Sequence, residues 1–147
     1  MNTHQIPNVR VLLQGQAYVE AAEILLDYNR VQPAAVMAAL AIEVFMKSFL
    51  AENNLAGRAI SKRGHDISSL FEQIKPEIRS ALLDCSNELD QSINFVDELR
   101  KHDRVFMSAR YFYEPDAVAS VGSDIVYIAR HISECVHLLA KTRSVIR

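Results

Sequence analysis

The amino-acid sequence predicts an all-α protein, an antiparallel four- to five-helix up-and-down bundle built as one domain over residues 1–147. Three observations lead there. The 147 residues include only four glycines and four prolines, too few for the many tight turns of an all-β chain. Half of the residues are hydrophobic and 23% are charged, a balance that can bury a core and does not suit a disordered chain. Apolar residues then recur at three- and four-residue spacing, the period of helices with one face turned inward.

The first helix is expected from about residue 9 to residue 28, with Ala17, Ala21, Ile24, Leu25 and Tyr28 at helical spacing. Asn29 and the stretch from Arg30 to Pro33 break it, and Pro33 suits the first turn of the next helix, where its missing N–H is not needed. The second helix, about residues 33–52, is apolar on nearly every side from Ala34 to Ile42 and so belongs in the middle of the bundle. A long connection over residues 55–65 holds Gly57, Arg58, Lys62, Arg63 and Gly64. Asp66 is the candidate N-cap of a short helix carrying Ile67, Leu70, Phe71 and Ile74. Pro76 restarts a helix with Ile78, Leu82 and Leu83. A fourth long helix is expected from Ser86 to Ser108, with Leu89, Ile93, Val96 and Leu99 on one side. It runs into the segment ARYFYEPDA, where Pro115 stops it. The last helix begins near Ser120 or Ser123 and runs towards Val145.

Composition narrows the function. A net charge of -2 excludes a surface coated in positive charge, so any contact with phosphate must come from a local cluster. The densest is Arg100, Lys101, Arg104 and Arg110, diluted by Glu98 and Asp103, a mixture typical of a solvated helix face. Cys85 and Cys135 are too few for a disulfide framework and lack metal-ligand spacing, so both read as reduced thiols in or beside the core. The first ten residues show no secretory signal. The apolar stretch 33–51 is interrupted by Glu43 and Lys47 and is expected to fall short of a bilayer span. The expected location is the cytoplasm, with no membrane contact. No Gly-rich phosphate loop, carboxylate–histidine metal cluster or nucleophile elbow is visible, and no cofactor is expected.

Four constellations stand out. Glu43 and Lys47, at i and i+4 on an apolar helix, can pair on one face, as a structural ion pair or as a polar spot in a ligand cleft. His65 and Asp66 meet at a loop-to-helix junction, where the aspartate can cap and the histidine can face solvent or a partner. Arg110 and Tyr111 can satisfy helix-end carbonyls, or hold a phosphate and stack on a base. Arg130, His131 and His137 lie on the last helix. Arg130 and His137 are seven residues apart, nearly two turns, and share a face. That face lies roughly 140–160° from the stripe of Ile125, Ile128, Ile132, Val136 and Leu139, so it points to solvent or to a cleft between two subunits. An arginine to hold phosphate and a histidine to move a proton suit cleavage of a phosphodiester bond.

The segments AALAIEVFMKSFL (38–50), GHDISSLFEQI (64–74) and RYFYE (110–114), in this order on successive helices, resemble the HEPN family of helical nucleotide- and RNA-associated domains. The resemblance spans most of the chain and implies an antiparallel bundle, commonly a homodimer. Many members of that family are ribonucleases of toxin–antitoxin or antiviral-defence systems. Others bind nucleotides or assist a nucleotidyltransferase. The ribonuclease members carry an arginine, usually a polar residue after it, and a histidine after four to six intervening positions. Arg130, His131 and His137 match that pattern on the last helix, and Arg58 to His65 repeats the spacing in the connection.

The resemblance implies two alternative functions. In one, the protein is a metal-independent endoribonuclease with His137 as acid/base, Arg130 as phosphate clamp and His131 orienting the phosphate or its partner, with two copies meeting. In the other it is a non-catalytic module in which Glu43, Lys47, His65, Asp66, Arg110 and Tyr111 frame a groove for RNA, a nucleotide or a protein partner such as a nucleotidyltransferase.

Overall fold

The computed structural model describes residues 7–50, 67–103 and 123–146. Among them are six helices and no strand: α1 (Val9–Asp27), α2 (Val31–Ser48), α3 (Ile67–Gln73), α4 (Pro76–Leu89), α5 (Phe95–Lys101) and α6 (Asp124–Ile146). The architecture is the all-α bundle that the periodicity predicts.

α1 starts at Asn8, whose side-chain oxygen accepts from the Val11 N–H, and it ends in a Schellman turn. Asn29 there takes a positive φ of 60°, a conformation asparagine tolerates. The Arg30 and Asn29 N–H groups close back on the Leu25 and Leu26 carbonyls. This tight reversal folds α2 directly against α1. Gly15 makes the close approach workable: a Cβ there would lie 2.8 Å from two atoms of the buried Phe45 ring. At the other end of the hairpin the Asn8 N–H donates to the Ser48 carbonyl at 2.8 Å.

α2 is the middle of the core. Ala34, Ala35, Ala38, Ala39, Ala41, Ile42, Phe45 and Met46 are all fully buried, facing Val19 and Ala22 of α1 and Ile125, Ala129, Ile132 and Val136 of α6. Glu43 and Lys47 interrupt its apolar run without breaking the helix. By length and composition α2 reaches what a membrane span needs, and more than half of it is covered by the other helices of the bundle.

The largest departure from the expected helices falls within residues 86–103, the described part of the helix expected from Ser86 to Ser108. Instead of one long helix, α4 continues from Pro76 through Ser86 to Leu89, the chain turns, and α5 begins at Phe95. The Asp90 carboxylate accepts from both the backbone N–H and the hydroxyl of Ser92, and Asn94 caps α5 by accepting from the Asp97 N–H. These short polar side chains offer the backbone local partners that compete with helix continuation. Leu89, Ile93, Val96 and Leu99 keep helical spacing across the break, which disguises it in the sequence. α3 and α5 pack through Phe71 and Phe95, ring centroids 5.4 Å apart. Asp103 also accepts from the Ser68 N–H and hydroxyl at 2.8 and 2.6 Å, satisfying a free donor in the first turn of α3. Asp66, expected to cap that helix, lies outside the described residues.

Candidate active site

The three residues singled out on the last helix have different surroundings in α6. Arg130 is half-buried at the contact of α6 with α1. Its Nε donates to Oε2 of Glu23 at 2.8 Å and its Nη2 donates to Oε1 of the same carboxylate, a two-pronged pair joining residues 107 apart in sequence. That hydrogen bonding raises the Arg130 pKa further, and the carboxylates of Glu23, Glu134 and Glu20 all act on it in the same sense.

His131 is buried, 6% exposed. Its Nε2 lies 2.8 Å from the Ser86 hydroxyl on α4 and 3.5 Å from the Cys135 thiol one turn on. Burial holds its pKa below the usual value, against the opposing pull of Asp90 and Glu134. At neutral pH it is an uncharged imidazole binding two helices together, facing inward from Arg130. Burial also pushes the neighbouring Cys135 thiol up to about 12 and raises that of Cys85. Both cysteines are free and buried.

His137 is exposed. Its Nδ1 lies 2.7 Å from the Ser133 carbonyl oxygen. A carbonyl only accepts, so Nδ1 carries the proton and the neutral ring keeps its lone pair on Nε2, as a general base requires. The step of seven positions from Arg130 to His137 corresponds to roughly 10 Å along the helix axis. Within one chain the two stand about two turns apart on one face.

Glu43 and Lys47 do form the ion pair that their spacing allows, Nζ to Oε2 at 2.8 Å. Glu43 is buried in the bundle and Lys47 is one-quarter exposed. The rest of the expected groove, His65, Asp66, Arg110 and Tyr111, lies outside the described residues, as does the alternative pair Arg58 and His65.

Three residues of this region were missed from sequence. Glu23 reads as an ordinary surface carboxylate of α1, and only the packing of α1 on α6 brings it to Arg130. Ser86 meets His131 the same way. His102, 5% exposed at the end of α5, has a buried Nε2 with no hydrogen-bond partner. Glu98 and Asp124 carboxylates stand 3.5 and 3.8 Å away. Burial lowers its pKa, although both carboxylates favour its charged form. Among the described residues no three His, Cys, Asp or Glu side chains are grouped so as to hold a metal ion.

No curated protein and no solved structure matches the chain significantly. The HEPN domain family model matches residues 9–141, nearly the whole sequence and all six described helices but the end of the last. The chain therefore belongs to the HEPN domain family.

Proposed function

We propose that the chain works as one HEPN-like domain over residues 1–147 that acts on RNA as a metal-independent endoribonuclease of a toxin–antitoxin or defence system. The observation carrying this reading is His137, exposed, with its Nδ1 proton held by the Ser133 carbonyl so that Nε2 is the nitrogen left to accept. It stands on the same side of α6 as a half-exposed arginine. His137 takes the proton of a ribose 2′-hydroxyl as that oxygen attacks the adjacent phosphorus. The bond from phosphorus to the 5′-oxygen breaks to leave a 2′,3′-cyclic phosphate, and the departing oxygen takes a proton from water to become a hydroxyl. Arg130 holds the phosphate oxygens as charge builds on them. His131 supports the site from beneath, by fixing α6 against α4.

The axial separation of Arg130 and His137 is the reason to put two copies together. A homodimer brings the arginine of one chain towards the histidine of the other. α1 offers the surface: Val9, Leu13, Ala17, Ile24 and Tyr28 are exposed on its outer side, at spacings that keep them in one stripe. A second copy covering that stripe would lie beside the Glu23–Arg130 contact.

The test is cleavage of single-stranded RNA in the presence of a metal chelator, with the solution mass measured on the same sample. His137→Ala should lower the rate at least a hundredfold and leave the fold intact. Equal cleavage by the variant would remove the assignment.

A second reading has its own observation. Glu43 and Lys47 keep an ion pair in the most apolar helix, where hydrophobic side chains of similar size would be at least as stable. That favours a non-catalytic module in which this pair borders a nucleotide or protein site, with a nucleotidyltransferase as one partner. Thermal stabilisation by millimolar nucleotide, lost in Lys47→Met, would support it.

A further inference from the structure

We propose that Glu23 is a built-in competitor for the anion that Arg130 binds, a carboxylate that occupies the guanidinium until a polyanionic strand displaces it. The proposal rests on the reading of Arg130 as a phosphate clamp. The contact uses Nε and Nη2 against both carboxylate oxygens. This edge of an arginine is the one that takes two oxygens of a phosphate. Glu23 and a phosphate therefore exclude each other there.

The pair is also built to exchange. The side chains of Arg130 and Glu23 are 39% and 36% exposed, so water reaches both and an ion pair at that exposure contributes little to stability. An incoming anion can replace Glu23 without opening the core. Glu20, one turn before Glu23, and Glu134, one turn after Arg130, add negative charge around the same guanidinium. Three carboxylates act on one cation, one of them in contact, so a lone mononucleotide phosphate gains little by taking the place of Glu23. A strand making several contacts at once adds their effects and can displace it. Glu23 thus weakens phosphate binding at Arg130, and a strand with further contacts elsewhere still binds against it.

The experiment measures binding of a labelled single-stranded RNA whose 2′-hydroxyls are methylated, which blocks cleavage, and of a nucleoside monophosphate. It uses the full chain, Glu23→Gln, Arg130→Ala and the double variant, with Tm taken for each. Glu23→Gln should bind the strand about three- to tenfold more tightly, and the mononucleotide by a similar factor. It should add nothing once Arg130 is alanine. Glu23→Ala should behave alike, which covers a glutamine that still bonds to Arg130. Strand binding by Glu23→Gln and Glu23→Ala that is no tighter than by the parent, or an equal gain in the Arg130→Ala background, would overturn the proposal. Cleavage of unmodified RNA separates it from the catalytic reading. If His137→Ala cleaves like the parent, the catalytic assignment fails and the binding comparison still decides Glu23. If the parent cleaves through His137 while Glu23→Gln leaves binding and rate unchanged, Glu23 alone is excluded.

Discussion

Ser86 of α4 and His131 of α6 meet inside the bundle, the serine oxygen 2.8 Å from the ring nitrogen, and both are almost wholly shielded from water. The bond ties two packed helices together, and it gives a buried imidazole the partner it needs. Ser86→Ala leaves that nitrogen with only the weak thiol of Cys135 at 3.5 Å. We expect a loss of about 1–3 kcal/mol in urea unfolding. A loss below about 0.3 kcal/mol would show that the hydroxyl is dispensable.

His131 and His102 are both held below the usual histidine pKa by burial. The charges facing His131 are Asp90 and Glu134, and those facing His102 are Glu98, Asp124 and Lys101. The unfolded chain takes up protons near pH 6.5, while the native state resists until the pH is lower. Stability is therefore unaffected above that value and falls as the pH drops below it. Urea midpoints at about pH 7.5, 6.5 and 5.5 should decline over the last interval, and less steeply in His131→Gln. The lowered pKa of Asp90 acts in a separate window, below its ordinary value of 3.8. A midpoint rising as the solution is acidified through that last interval would contradict the assignment.

Gly15→Ala tests the α1–α2 contact. Alanine favours a helix by up to about 1 kcal/mol over glycine, yet here its Cβ would meet the Phe45 ring at 2.8 Å. Phe45 is fully buried and cannot swing away. The clash should win, with a net loss of about 1–3 kcal/mol, and Phe45→Leu in the same chain should recover part of it. A Gly15→Ala protein more stable than the parent would show that α1 and α2 can move apart freely.

Leu13→Glu combined with Ile24→Glu places two charges on the outer stripe of α1, where both side chains are more than half exposed. The monomer's stability should change by no more than about 0.5 kcal/mol. The solution mass of a dimer should fall to that of one chain. Unchanged mass would move the contact between copies to another face.

The long helices were legible because their apolar period is unbroken, as in α1 and α2. The turn between α4 and α5 was harder to see, since Leu89 to Leu99 keep the period that a helix would have. Its signals were local and polar, Asp90 with Ser92 and then Asn94 as a cap. In the candidate site, helix geometry placed His137 outside correctly. The same geometry places His131 about 100° from the centre of the buried stripe, so only the packing of α4 on α6 shows it inside. Glu23 could not be found from sequence at all. Its partner lies 107 positions away, and nothing short of packing α1 on α6 joins them.

The backbone bond from Asn8 to Ser48 gives the start of the chain an unexpected reach. Asn8 both caps α1 and fastens the last turn of α2, one position beyond Lys47. Truncation through Asn8 would thus be felt where α2 ends. Fraying there would show as faster amide exchange at Lys47–Leu50, before α1 itself unwinds.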